Sequence, residues 1–138
     1  MTPSILHALE AITGGVTTPQ AFRAAGVSAG IKAKAGALDL ALLVSDLPAT
    51  TAAVFTTNRA LAAPVLVSRD HLSRSGGVTR AIIVNSGCAN ACTGDAGLRD
   101  AREMASETAA LVGCSPEQVL VASTGVIGVA LKDRKSVV

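Results

Sequence analysis

Arg80-Ala81-Ile82-Ile83-Val84-Asn85-Ser86-Gly87-Cys88-Ala89-Asn90-Ala91-Cys92-Thr93-Gly94 carries the architecture of this chain. Residues 80–84 read as a buried strand, and a small, polar, glycine-rich loop follows them over 85–94. That loop opens the strongest helical pattern in the sequence. Leu98, Ala101, Met104, Ala105, Thr108, Ala109 and Val112 recur at three- and four-residue spacing. Arg99, Asp100, Arg102, Glu103 and Glu107 fall on the opposite face. Thr93 or Asp95 is placed to serve as N-cap, and Gly113 is placed to close the helix. Ser115-Pro116-Glu117-Gln118 starts a short turn with Pro116 at the first helical position. A second apolar run, 119–122, ends in Ser123-Thr124-Gly125 and resumes as Val126-Ile127-Gly128. The order is strand, loop, helix, strand, with a polar segment after the C-terminal end of each strand. Open α/β sheets place ligands there.

Outward from this core, further strands are expected at 38–44, 52–56 and 64–68. Turn signals separate them at Ser45-Asp46-Leu47-Pro48, Asn58-Arg59 and Ser73-Arg74-Ser75-Gly76-Gly77. Residues 4–12 suit one short amphipathic helix with Ser4 as N-cap. There is no internal repeat and no linker-like break. Residues 1–138 therefore read as a single α/β domain, and the pattern fits a mixed sheet with helices as well as a doubly wound parallel sheet.

Composition narrows the function classes. A chain of 138 residues is long enough for one domain with a real core. Its residues are 49% hydrophobic and only 16% charged, and its mean hydropathy is +0.48. Yet no apolar run reaches the roughly 18 residues of a membrane span, so no membrane association is expected. Continuous apolar strands suit a sheet covered on both faces. Part of that surface is expected to meet another chain, although alanine enrichment raises the same figure. Phe22 and Phe55 are the only aromatic residues, and the net charge is +2. Both facts argue against nucleic acid, whose bases stack on aromatic platforms. The densest basic group, Lys132, Arg134 and Lys135, is interrupted by Asp133 and reads as a solvated terminus. No basic segment followed by a continuous apolar core opens the chain, so a cytoplasmic location is expected. Cys88, Cys92 and Cys114 lack metal-ligand spacing and read as reduced, packed thiols. Cys92 also stands just before a helix N-terminus, where a thiolate is favoured. His7 and His71 stand alone and read as ordinary imidazoles.

The candidate chemistry lies in Thr124-Gly125. A hydroxyl and a flexible backbone amide stand side by side at a strand end, and glycine allows close approach to a ligand. Two such donors aimed at one point stabilise a developing oxyanion. Alone, the tripeptide reads first as an ordinary Ser/Thr/Gly turn, and the rest of the chain is what favours the donor pair.

Several segments together resemble a known family. They are Gly15-Val16-Thr17-Thr18-Pro19, Phe22-Arg23-Ala24-Ala25-Gly26-Val27, Gly30-Ile31-Lys32, Asp39-Leu40-Ala41, Val54-Phe55-Thr56-Thr57-Asn58 and Ala62-Ala63-Pro64-Val65. The loop at 85–94 and the segment at 122–128 complete the set. In this order and spacing they resemble the ornithine acetyltransferases, the bifunctional glutamate N-acetyltransferases of arginine biosynthesis. The resemblance implies a precursor that cuts itself into an α and a β chain, assembled as an α2β2 heterotetramer. It implies a nucleophilic threonine at the start of the β chain, with Thr124-Gly125 as the oxyanion hole. It further implies ping-pong transfer of an acetyl group from N-acetylornithine to glutamate, with acetyl-CoA a possible donor substrate and with no metal or bound cofactor.

After Gly128 the chain departs from the family pattern. Residues 129–138, Val-Ala-Leu-Lys-Asp-Arg-Lys-Ser-Val-Val, lack the arginine and proline-containing stretch expected there. They read as an aberrant tail, truncated before the cleavage site. The nucleophile segment is not among these residues, so the chain by itself is expected to be inactive. A different function class stays open at this point, a nucleotide- or anion-binding α/β module using the 85–94 loop at a helix N-terminus. It lacks both Gly-x-Gly-x-x-Gly and Gly-x-x-x-x-Gly-Lys-[Ser/Thr].

Overall fold

Through Asn85, side chains of Val78–Cys88 alternate half-buried and buried, the period-two signature of a strand whose two faces are unequally covered. This is β3. The computed structural model describes residues 13–131. Around β3 it places β1 (Phe22–Val27), β2 (Leu40–Thr50), α1 (Ala63–Arg74), α2 (Gly94–Val112) and β4 (Val119–Val126). The four strands lie in the order β1-β2-β3-β4. β1 pairs with β2 and β2 with β3 antiparallel, while β3 and β4 run parallel. Parallel neighbours need a crossover connection, and α2 supplies it. The fold is thus α/β with a mixed sheet.

The core lies between one face of the sheet and the two helices. Ala63 and Val67 of α1 meet Ala81, Ile83, Val119 and Val121 from the strands and Ala101, Ala105 and Ala109 from α2. Alanine at every fourth position of α2 leaves no bulk between helix and sheet. Gly113, at φ 75°, closes α2 as expected, with its N–H on the Ala109 carbonyl. Pro116 opens the single turn of 3-10 helix (Pro116–Gln118), where the Ser115 N–H donates to Gln118 Oε1 at 3.2 Å.

Residues 64–68, expected as a strand, are instead the first turns of α1. Pro64 sits at the start of the helix, where its missing N–H costs nothing. The buried set Ala63, Pro64, Val67, Ser68 and His71 has helical spacing. Its polar members explain the choice. β4 is an edge strand, and edges carry unpaired N–H and C=O groups. The Ser68 hydroxyl donates to the Val121 carbonyl at 2.7 Å and accepts the Val121 N–H at 2.8 Å. His71 Nδ1 donates to the Val119 carbonyl at 2.9 Å. Helix α1 therefore closes the sheet edge with side chains rather than with another strand.

Two further expectations change. Residues 52–56 run without a ladder partner among the described residues. Ser45-Asp46-Leu47-Pro48 is no turn between strands but an irregularity inside β2, where register with β3 shifts between Val44 and Ala49. Proline cannot donate to a ladder, so it is tolerated at such a bulge. The tail from 132 onward and the segment at 4–12, with His7, lie outside the described residues.

Candidate functional site

Parallel register carries the β3–β4 ladder past the apolar runs: Asn85 lies opposite Ser123, Ser86 opposite Thr124, Gly87 opposite Gly125 and Cys88 opposite Val126. The expected loop at 85–94 is therefore strand through Cys88, and the Ser-Thr-Gly segment is strand too. The reason lies in Gly87 and Gly125, with φ of 116° and 135°. Both are open to glycine alone, and they let the two backbones stay in contact. A Cβ on Gly125 would stand 2.6 Å from the Cys88 nitrogen and still closer to the Gly87 carbonyl carbon. Thr124 is exposed beside this pair. Its hydroxyl has no hydrogen-bond partner among the described residues. The result is an open hydroxyl next to a backbone amide, on a strand end paired with β3.

The connection to α2 is built around Asn90, which is fully buried with φ 47°. Its Nδ2 donates to the Gly97 carbonyl at 2.8 Å, and its Oδ1 accepts from the Thr93 hydroxyl at 2.7 Å. Thr93 is the N-cap residue, yet its hydroxyl serves Asn90 rather than the helix amides. The Asn90 carbonyl accepts the Ala63 N–H at 3.2 Å. One asparagine thus ties the starts of both helices to the end of β3. Gly97 is required here, because a Cβ would collide with Thr93 Oγ1 and Asn90 Oδ1. This internal use of Asn90 and Thr93 removes the slack of a phosphate-cradling loop, and the anion-binding module gains no support from it.

Asp39 forms a second anchor. It is 3% exposed. Its carboxylate accepts N–H groups from Ala29, from Ile31 at 2.7 Å and from Lys32 at 2.9 Å. The Lys32 N–H foremost, helped by those of Ala29 and Ile31 and by the Lys32 charge, holds its carboxyl below the ordinary aspartate range, while burial opposes the shift. The Asp39 carbonyl accepts the Ser86 N–H at 2.8 Å. The loop after β1 is thereby laid against the end of β3.

Asp39 appears in the sequence only as an acid preceding an apolar strand, and Asn90 as one polar residue between two alanines. The signal for each is weak but present: asparagine is among the few residues that accept positive φ, and Asp39 follows the glycine-containing segment Gly30-Ile31-Lys32. Asn85 is fully buried, with Nδ2 on the Cys88 carbonyl at 2.8 Å. Its Oδ1, and the hydroxyl of Ser123 beside it, have no hydrogen-bond partner among the described residues. Cys92 is exposed, at φ 57°, just before α2, Cys88 is buried, and Cys114 is half-buried. Burial pushes the Cys114 thiol up in pKa, with Arg80 opposing. His71 is buried and structural. Among the described residues, no three His, Cys, Asp or Glu side chains group as a metal site, and no helix is long and apolar enough to cross a membrane.

Comparison with known proteins places the chain among relatives of the same fold. The chain is 56% identical over 117 residues to the arginine biosynthesis bifunctional protein ArgJ of Thermosynechococcus vestitus, covering 85% of this chain and 27% of that protein. It is 53% identical over 116 residues to ArgJ of Dehalococcoides mccartyi, covering 83% of this chain and 28% of that protein. The chain thus spans little more than a quarter of the length of these relatives. Among solved structures it resembles ArgJ of Bacillus halodurans, with a TM-score of 0.81 and 43% identity over 86% of this chain and 60% of that one. It also resembles an ornithine acetyltransferase of Mycobacterium tuberculosis, solved in complex with ornithine, with a TM-score of 0.78 and 50% identity over 85% of this chain and 62% of that one. The ArgJ family model matches residues 23–137, and by that match, across sheet, helices and both strand ends, the chain belongs to the ArgJ family.

Proposed function

We propose that this chain contributes the oxyanion-stabilising half of an acetyl-transfer site, with the Thr124 hydroxyl and the Gly125 N–H as the two donors. The observation that carries this reading is the open Thr124 hydroxyl beside a backbone held by the Gly87–Gly125 contact. Preorganised donors need no rearrangement as charge develops. The donor substrate is N-acetylornithine, with acetyl-CoA as a further donor, and the acceptor is glutamate. A threonine hydroxyl from the β chain of the same precursor attacks the acetyl carbonyl. The carbonyl electrons move onto oxygen, and the two donors stabilise that oxyanion. Collapse re-forms the carbonyl and expels the ornithine amine, which takes up a proton. The glutamate amine then attacks the acetyl-threonine ester through a second oxyanion at the same place; collapse breaks the ester bond, the amine gives up a proton and the threonine oxygen takes one back as its hydroxyl is restored. No metal or bound cofactor enters these steps, and the working assembly is an α2β2 tetramer in the cytoplasm.

These 138 residues by themselves are proposed to be inactive, because donors without a nucleophile have nothing to stabilise. The test joins them to the remaining sequence of an ArgJ relative and measures acetyl transfer. Thr124→Ala is expected to lower kcat about 10²–10³-fold with KM nearly unchanged, since the hydroxyl matters mainly once the oxyanion exists. Cys92→Ser is expected to retain most activity. Full kcat in Thr124→Ala would return the segment to an ordinary strand end, and an equal loss in Cys92→Ser would move the chemistry to the thiol.

A further inference from the structure

Gly125 is held from one side by Gly87, and Gly87 is itself pressed from the other. A Cβ on Gly87 would lie 3.1 Å from Ile31 Cγ2 and 3.1 Å from Lys32 Cγ. The backbone of those two residues is fixed by one group, the Asp39 carboxylate, which gathers the Ala29, Ile31 and Lys32 N–H groups. Asp39 also holds the neighbouring residue of β3 directly, through the Ser86 N–H on its carbonyl. The packing is a stack of three layers: the Ile31 and Lys32 side chains of the 29–32 loop lie on Gly87, and the Gly87 backbone lies on Gly125.

We infer that Asp39 is a positioning residue for the Thr124-Gly125 pair: it presses the 29–32 loop onto Gly87 and so fixes where the Gly125 backbone stands. Its importance for chemistry rests on the acetyl-transfer reading; the mechanical relay does not. The β-branched Ile31 side chain is stiff, and neither glycine has a side chain to take up slack, so a shift of the loop passes through the Ile31 methyl to the Gly87 backbone and on to Gly125. Three converging N–H donors require an acceptor at both carboxylate oxygens. Asparagine offers an acceptor at only one and sets an NH2 group against the other donor or donors.

The test is amide NMR of the 138-residue chain. Asp39→Asn is expected to move the resonances of Ala29, Ile31 and Lys32 and, with them, those of Gly87 and Gly125. The amides of Ala105 and Ala109 in α2 should stay in place. Ile31→Ala leaves the three donors intact but removes the methyl group against Gly87, and it is expected to move Gly125 in the same direction. Asp46→Asn breaks the exposed pair with Arg23 at the other end of β1 and should leave Gly125 unmoved. A Gly125 resonance that stays fixed while the loop amides move would overturn the relay. If Asp39→Asn does not fold, Ile31→Ala decides: a fixed Gly125 overturns the proposal and a displaced one supports it. In the joined enzyme, Asp39→Asn should lower kcat with KM nearly unchanged. An intact relay together with full kcat in Thr124→Ala would remove the acetyl-transfer reading alone.

Discussion

Gly125 and Gly113 both have positive φ, but only one of them has a neighbour. Around Gly113 nothing lies within 4 Å of an added Cβ, whereas at Gly125 the β3 backbone fills that space. Gly113→Ala should therefore cost about 1 kcal/mol, the penalty of a left-handed alanine. Gly125→Ala adds overpacking against backbone and should cost roughly 2–4 kcal/mol. Urea midpoints of the two variants measure the difference; equal values would mean that the β3–β4 contact is loose. Asp39 gives a prediction in pH. Its folded-state pKa lies below its ordinary value of 3.8. Its stabilisation is thus fully present above that value and is lost as pH falls through the lower, folded one. Asp39→Asn should lower stability at neutral pH and flatten its fall as pH drops below the ordinary aspartate value of 3.8. A smaller slope should persist from Glu117, which is held low by its own backbone N–H, by Ser115 and by Arg74, against the effect of burial. An acid limb unchanged in Asp39→Asn would show that the carboxylate is not the acceptor it is drawn to be. Thr124 and Gly125 stand out in the sequence as the proposed donor pair because hydroxyl and amide are neighbours along the chain. Gly87 and Asp39 do not, because they reach the pair only through strand register and a loop fold.

The crossover unit β3-α2-β4 was the most legible part of the chain, since a long apolar period and a glycine stop agree over many residues. Short elements fared differently. β1, Phe-Arg-Ala-Ala-Gly-Val, has neither alternation nor bulk, and five of its six residues are exposed. It is a strand because β2 offers it an edge, a tertiary cause that its own residues do not display. Helix α1 shows the opposite case. Its Pro-Val-Leu-Val-Ser opening has strand-like composition, but Ser68 and His71 must reach β4 from one side, and only a helix presents them together. This assigns Ser68 a measurable share of stability. Ser68→Ala leaves the Val121 N–H and C=O without partners at a buried edge, a loss of about 2 kcal/mol. Ser68→Thr keeps the hydroxyl and should recover most of it. The check is thermal or urea unfolding of both variants, and an alanine variant as stable as the parent would mean that the β4 edge finds other partners.

At the scale of the molecule, the alanine-rich helix that packs so closely on the sheet leaves one side of that packing open. Between α2 and the β1–β2 edge lies a cavity of about 500 Å³, floored by Val27, Leu40, Leu42 and Ile83 and walled by Met104 and Leu111. Leu111 is 84% exposed and Val27 52%, far from the burial that leucine and valine usually reach. The apolar excess seen in the composition thus has an address. Apolar surface in a concave site favours an apolar ligand by roughly 25 cal/mol per Å² removed from water. The 138-residue chain is therefore expected to bind a fluorescent hydrophobic dye in its folded state. Leu111→Lys should weaken that binding clearly while leaving the unfolding free energy from urea titration within about ±0.5 kcal/mol, because a surface substitution removes no core contact. Dye fluorescence that survives Leu111→Lys would place the apolar surface elsewhere, with Val54, fully exposed ahead of α1, as the next position to change.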